Sequence, residues 1–312
     1  MAAADSLRDV SSTIPTSVTE VVSGLAAHGY LADEGLATAI FLSLSMKRPL
    51  LLEGEPGVGK TEVAKALSAL TGGELLRLQC YEGLDASQAL YEWDYPRQLL
   101  HLRAAEAAGT IGSDTEAVEN ELYSERFLVR RPLLDAISPR HDVAPVLLID
   151  ELDRADDEFE AFLLEVLADN AVTIPELGTF RATTPPIVII TSNRTRDVHD
   201  ALKRRCLYHW VEHPDLEREI AIVQARIPGA NELMARQVAR LVAELRSIGL
   251  FKPPGVAETI DWVTALTSLG RTSIDGASVD ASLGAVVKYR EDADRVRAHG
   301  IDALVEAAQT AG

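Results

Sequence analysis

Apolar residues along the chain recur in two rhythms. In residues 16–45 the rhythm is helical: Val18, Val21, Val22, Leu25 and Ala26 fall three and four apart, as a core-facing helix requires. Residues 31–46 read as a second helix. Elsewhere the apolar residues form short runs at 49–52 (ended by Gly54), 146–149 and 187–190, and each predicts a strand, as does the mixed stretch 75–80. The four consecutive aliphatics at 146–149 fit a strand covered on both faces. Between these runs, residues 61–70 predict a helix stopped by Gly72 and Gly73. Phe159, Phe162, Leu163, Val166 and Leu167 predict another helix. Residues 85–138 read as mainly helical, with Pro96 suited to the first turn of one helix, and 172–180 read as a loop or hairpin. Strands alternating with helices predict an α/β fold, a parallel sheet flanked by helices. After Pro214 the chain carries helical patterns and no convincing strand. The expected boundary lies near His213, with an α/β domain over 1–213 and an all-α domain over 214–312.

Composition narrows the function. A chain of 312 residues with 47% hydrophobic and 25% charged residues is that of a globular protein of one large or two ordinary domains. The formal net charge of −18 argues against a nucleic-acid footprint, which needs a basic face. Cys80 and Cys206 are too few for a disulfide framework or a zinc site and fit a reducing compartment. The first ten residues lack a charged leader followed by an apolar stretch, and no apolar run nears the ~20 residues of a membrane helix. A cytoplasmic protein without membrane insertion or nucleic-acid binding is expected.

The chemistry concentrates in three stretches. GEPGVGKT matches the phosphate-binding pattern G-x-x-x-x-G-K-[ST], set between a strand and a helix. Gly54, Glu55, Pro56, Gly57, Val58, Gly59, Lys60, Thr61 and the following Glu62 are the candidate ATP-binding residues. Glycines let backbone N–H groups turn towards phosphates, and the helix N-terminus adds a favourable dipole. Lys60 would meet the β- and γ-phosphates, and the Thr61 hydroxyl would ligate Mg²⁺. VLLIDE delivers Asp150 to the sheet's C-terminal edge, where ligands of open α/β sheets sit. Asp150 is expected to hold the Mg²⁺ shell and Glu151 to orient and polarise the attacking water. The alternative for this acidic pair is capping of the next helix, as Asp153 and Asp156 could also do. The third stretch, ITSNRTRDVHDALKRRC, runs from an apolar strand through a lone Asn193 to a basic triplet. For Asn193 the alternative is a turn residue; for Arg204 and Arg205 it is favourable charge at a helix C-terminus.

Taken together, LLEGEPGVGKTE, QCYEGLD (79–85), YEWDYPRQLL (91–100) and LIDELDRADDEFEAFLLEVL (148–167) resemble AAA+ ATPases, and in particular CoxD-like members of the MoxR group. The likeness covers roughly residues 15–270. It implies five parallel strands plus a C-terminal helical lid, with nucleotide held between them. It also implies a homo-oligomeric ring, usually of six subunits, whose ATP cycle remodels a partner. MoxR-type proteins often act with a von Willebrand factor A domain protein. CoxD-like members are linked to maturation of a client enzyme, carbon monoxide dehydrogenase or a related molybdenum hydroxylase, through metal or cofactor insertion. The resemblance assigns Asn193 as the sensor-1 amide. Arg204 and Arg205 stand at the arginine-finger position, with Arg205 the first choice. The usual sensor-2 arginine is missing: KPPGVAETIDW (252–262) carries Glu258 near that place, so either another arginine substitutes, Arg271 being one candidate, or the lid senses nucleotide differently, and the residue stays unassigned. Tyr81 follows a strand as an aromatic pore loop would, whereas Tyr91, Trp93 and Tyr95 read as packing residues. His199 and His209 suggest no metal geometry.

Two further classes compete with an ATP-hydrolysing chaperone. One is a nucleotide-dependent binding module with little turnover, against which Glu151 speaks. The other is a nucleic-acid motor or loader, which the acidic charge disfavours.

Overall fold

The structure is a computed structural model that describes residues 14–109 and 115–310. The start of the chain, on which the absence of a leader was read, and residues 110–114 and 311–312 lie outside the described residues. In chain order the strands among the described residues are β1 (Leu50–Gly54), β2 (Leu75–Gln79), β3 (Tyr91–Trp93), β4 (Leu128–Arg130), β5 (Val146–Asp150), β6 (Ala171–Ile174), β7 (Gly178–Arg181), β8 (Ile187–Ser192) and β9 (Leu207–Val211).

Five of them form one parallel sheet in the order β2-β5-β8-β1-β9, flanked by helices, as an α/β fold requires. Leu75 pairs with Val146 across β2 and β5, and Val146 with Ile187 across β5 and β8. Position in the sheet explains the sequence patterns. The inner strands β1 and β5 are buried at every residue, and β8 at all but its first. The outer strands differ: β2 alternates, leaving one face exposed or half-buried, and β9 is buried only at Val211. Hence β9, with the sequence LYHWV, escaped the sequence reading although the resemblance called for a fifth strand.

Residues 85–138 are mainly helical, with two short strands that the sequence reading did not include. Helices Ala86–Leu90, Tyr95–Ala107, Thr115–Leu122 and Pro132–Ala136 are interrupted by β3 and β4, an antiparallel pair in which Tyr91 faces Arg130. Three-residue strands joined over a long insertion leave no periodicity to read. Asp94 caps Tyr95–Ala107 by accepting from Arg97 N, and Pro96 sits in its first turn. β6 and β7 form the hairpin expected near 172–180.

The chain folds as two compact units that interleave along the sequence. The first takes 14–17, 38–52 and 67–209; the second takes 18–37, 53–66 and 210–310. The chain passes between the units several times, the last crossing falling between His209 and Trp210. In the first unit, Leu51, Leu147, Ile149, Val188 and Ile190 of the sheet pack with Leu152 of the turn after β5 and with Phe159, Leu163 and Val166 of the helix Asp157–Asp169.

The second unit has its own core around Trp262, whose indole donates to Ser282 Oγ at 2.8 Å. The buried Glu219 and Arg246 form a two-pronged ion pair at 2.7 and 2.9 Å, and Thr259 Oγ1 donates to the same carboxylate at 2.5 Å. Helices Leu216–Arg226, Glu232–Ser247 and Val256–Ser268 are thereby tied together by a satisfied buried charge. Among the described residues, no helix is long and apolar enough to cross a membrane.

Candidate functional site

The loop from Gly54 to Thr61 belongs to the second unit and is shaped by its glycines. Gly57 and Gly59 have φ of +84° and +95°, where other residues are strained. A Cβ on Gly54 would lie 2.4 Å from the Val211 carbonyl oxygen, so the backbone approaches too closely for any side chain. Lys60 opens the helix Lys60–Thr71, is 6% exposed, and donates to the carbonyls of Gly54 and Glu55 at 2.7 and 2.8 Å. Its ammonium is therefore held inside the loop rather than in solvent. Glu55 meets His213 at 3.0 Å.

A second backbone segment rests on this loop. Val256 N and Ala257 N donate to Gly57 O at 3.1 and 3.4 Å. A Cβ on Gly255 would lie 2.8–2.9 Å from Gly57 Cα, Gly57 C and Pro56 O. Glu258 caps its own helix by accepting from Gly255 N at 2.9 Å. At the place where the resemblance called for an arginine, main chain thus packs on the loop. Arg271 follows the C-terminus of the helix Val256–Ser268 and pairs with Asp275 at 3.4 Å, roughly 20 Å along the helix axis from Gly255. It does not substitute. Arg226, which the sequence reading passed over, donates to Glu62 Oε2 at 2.8 Å. Burial raises the Glu62 carboxyl, but Lys65 and Arg226 outweigh it and hold the group below the usual range.

The acidic residues belong to the first unit, at the end of β5. Asp150 is 3% exposed, and both its oxygens are engaged: Oδ1 accepts from Thr191 Oγ1 at 2.5 Å, and Oδ2 from Arg77 Nε and Nη2 at 3.0 and 2.5 Å. Glu151 adopts φ 55° and ψ 50°, a left-handed conformation costing a non-glycine residue roughly 1–3 kcal/mol. Its N–H donates to Thr191 Oγ1 at 3.0 Å, so one hydroxyl fixes both acids. Glu151 Oε2 accepts from Gln79 Nε2 at 3.2 Å and Arg154 Nε at 2.8 Å, while Oε1 faces Asn193 Nδ2 at 3.5 Å.

Asp153 has a different task from the capping role considered for it. Its carboxylate accepts from Asn193 N, Thr195 N and Thr195 Oγ1 at 3.1, 2.9 and 2.5 Å, pinning the turn that presents Asn193. Burial raises this carboxyl, but those hydrogen bonds outweigh it and hold it below its ordinary value. Capping falls to Asp156, which accepts from Phe159 N.

Further along the same segment, Arg196 pairs with the buried Glu160, which also accepts from His199 N at 2.7 Å. The helix Asp200–Arg205 hangs from this point and carries the two candidate arginines. Arg48 holds its C-terminus by donating to the carbonyls of Arg204, Arg205 and Cys206 at 2.6, 3.0 and 3.2 Å. Both arginines are exposed. Arg205 Nη1 donates to Leu164 O at 2.8 Å, whereas the Arg204 guanidinium has no hydrogen bond or ion pair among the described residues.

Each unit thus collects part of the predicted set: Gly54–Glu62 in one, Asp150, Glu151, Asn193, Arg204 and Arg205 in the other. Arg77, Gln79, Asp153, Thr191 and Thr195 were not found from the sequence. Their only signal was position, on a strand, at its end or one turn beyond. Tyr81 is exposed after β2, with its hydroxyl donating to Gln88 Oε1 at 3.0 Å. Trp93 is buried between Tyr91 and Tyr123, as a packing residue should be, but Tyr95 is 61% exposed and packs into no core.

Taken one unit at a time, the residues fit a nucleotide and its metal: the buried Asp150 offers hard carboxylate oxygen of the kind Mg²⁺ takes, and in the other unit the positive-φ glycines and the buried Lys60 make a loop suited to phosphate.

Comparison with known proteins agrees. Midasin of Giardia intestinalis is 41% identical over 54 residues, a match spanning 17% of this chain and 1% of that protein. The chain therefore covers a very small part of that relative's length. The family described as AAA domain (dynein-related subfamily) matches residues 49–206, just over half of the 312-residue chain. That stretch contains the glycine loop, the acidic pair, Asn193 and both arginines, and so this chain belongs to the AAA domain family, a family of nucleotide-dependent remodelling ATPases whose members commonly assemble as rings.

Proposed function

We propose that this protein hydrolyses ATP as a remodelling chaperone or activase of the MoxR type, with 1–213 as its nucleotide-binding domain and 214–312 as its helical lid. The observation that carries the reading is the pairing of Glu151 Oε1 with Asn193 Nδ2 across 3.5 Å. A carboxylate acceptor and an uncharged amide donor face each other at the long limit of a hydrogen bond. Both are held from behind, Glu151 by Thr191 and Asn193 by Asp153.

ATP with Mg²⁺ supplies the scissile phosphoanhydride and the metal's charge. Gly54, Glu55, Gly57, Val58 and Gly59 offer backbone N–H groups, Pro56 fixes the turn between them without a donor of its own, and Lys60 and Glu62 sit at the start of the following helix. Lys60 neutralises phosphate charge, and Thr61 and Asp150 hold the metal shell. Glu151 polarises water and accepts its proton, Asn193 orients it, and Arg204 or Arg205 meets the nucleotide of a neighbouring subunit in a ring, six-membered by the resemblance. The MoxR assignment rests on the four sequence stretches. It suggests a cytoplasmic protein acting with a von Willebrand factor A domain partner on a client such as a molybdenum hydroxylase.

Glu151→Gln tests the reading directly. Turnover should fall about 10²–10⁴-fold, the usual contribution of a positioned general base, while ATP affinity by calorimetry stays within a few-fold. Unchanged turnover would point instead to a binding module that uses nucleotide without hydrolysing it.

A further inference from the structure

Arg77 was not expected in this site. It lies on the outer strand β2, its side chain is 52% exposed, and Nε and Nη2 converge on one oxygen of a carboxylate whose own side chain is 4% exposed. Arg77 Nη2 also donates to Gln79 Oε1 at 2.6 Å, and the Gln79 amide reaches Glu151 Oε2 at 3.2 Å. A buried carboxylate without a counter-charge is costly. Here the guanidinium supplies that charge, and it does so from the solvent side, on a long side chain free to swing away.

We propose that Arg77 is the stand-in cation of Asp150: it neutralises the carboxylate while nucleotide is absent and gives way when Mg²⁺ arrives with ATP. Asp150 Oδ2 cannot serve a two-nitrogen arginine contact and a hydrated divalent cation at once, because like charges on one oxygen repel. Arg77 thereby competes with the metal and sets how much Mg²⁺ the protein needs. Through Gln79, the same movement changes the hydrogen bonding of Glu151, so metal arrival and readiness of the water-polarising acid are linked. This inference rests on the reading of Asp150 as a metal-holding residue.

Competition has a thermodynamic signature that a merely structural ion pair lacks. If the Arg77–Asp150 pair exists only in the empty protein, its loss destabilises the empty protein more than the loaded one. By linkage, the Arg77→Gln variant must then bind Mg²⁺ with nucleotide more tightly than the parent. One charge-assisted hydrogen bond corresponds to roughly a tenfold change. Half-exposure reduces this, and a threefold to tenfold gain is expected.

The experiment compares thermal unfolding and calorimetric binding of the full chain, with Mg²⁺ and a non-hydrolysable ATP analogue as the probe. Arg77→Gln should have a lower midpoint than the parent when empty, a similar midpoint when loaded, and a lower Mg²⁺ requirement. Arg77→Lys, which keeps the charge but loses the fork, should shift in the same direction and keeps the test open if the glutamine variant does not fold. Equal loss of stability in empty and loaded protein would make Arg77 a structural residue and overturn the proposal. Greater loss in the loaded protein would make it a phosphate ligand and overturn it as well. Asp150→Asn separates the layers. If it leaves the Mg²⁺ dependence of analogue binding unchanged, the metal role of Asp150 fails and this proposal with it. If it abolishes that dependence while Arg77→Gln does nothing, only the stand-in role fails.

Discussion

The glycine loop and the acidic edge of the sheet are assembled in opposite ways. From Gly54 to Lys60 the working surface is backbone, and its key side chain bonds to carbonyls five and six residues away. At the acidic edge the groups are fixed mainly by side chains remote in sequence: Asp150 by Arg77 and Thr191, Glu151 by Gln79 and Thr191 beside the nearby Arg154, Asn193 by Asp153. A backbone cradle depends on few residues and tolerates no substitute at its glycines. A side-chain network spreads its dependence over many residues, each worth less.

The sharpest way to break that contrast is the far end of the network, where helix Asp200–Arg205 is bolted to Glu160 through Arg196 and His199. Loss of the finger arginine should lower ATPase activity by roughly 10³–10⁵, a larger effect than any single cradle residue. Arg205→Ala and Arg204→Ala subunits keep an intact loop, whereas Lys60→Ala subunits keep both arginines. Mixing either arginine variant with Lys60→Ala in a ring should restore some activity if that arginine acts on a neighbour. Arg204 is unencumbered and Arg205 is tied to Leu164, so the two single variants will differ. If neither lowers the rate in a confirmed oligomer, the pair is only a basic helix end.

Lys60→Ala is the next largest change. It removes a buried cation from the cradle, and ATP affinity should drop on the order of 100-fold, the loss of a charge-assisted contact. Calorimetry that returned parental affinity would detach the loop from nucleotide binding altogether.

The smallest effect sharpens the comparison from the network side. Asp153→Asn cannot accept from three donors as a carboxylate does, and should cost about 1–3 kcal/mol of stability with a drop in turnover as Asn193 loosens. Because the Asp153 carboxyl is held below its ordinary value, its contribution is fully present above about pH 4, the unfolded-state range, and is lost as pH falls through the lower folded value. Urea denaturation between pH 7 and 3 should therefore show a steeper loss for the parent than for Asp153→Asn. Parallel curves would remove Asp153 as the anchor of that turn.

Legibility in the sequence follows the same division. The cradle was readable because glycine, lysine and threonine at fixed spacing are demanded by local backbone geometry. The inner strands β1, β5 and β8 were readable because burial on both faces forces unbroken apolar runs. β9 and the β3–β4 pair were not, since an outer or three-residue strand carries no run. Arg77 and Gln79 read as the ordinary polar half of an alternating strand, and nothing local marks them as neighbours of Asp150 and Glu151.

The sequence by itself therefore determined the α/β class and singled out the glycine loop, Asp150, Glu151 and Asn193 as candidates, because each is marked by residues adjacent in the chain. Tertiary structure alone decided which charges meet. Parallel pairing brings β2 beside β5 and β5 beside β8, so that Arg77 reaches Asp150 across 73 positions and Asp153 pins Asn193 across 40. It also placed main chain, Gly255 on Gly57, where an arginine was expected. Such contacts depend on strand order and close backbone approach, and neither leaves a local pattern for a sequence to display.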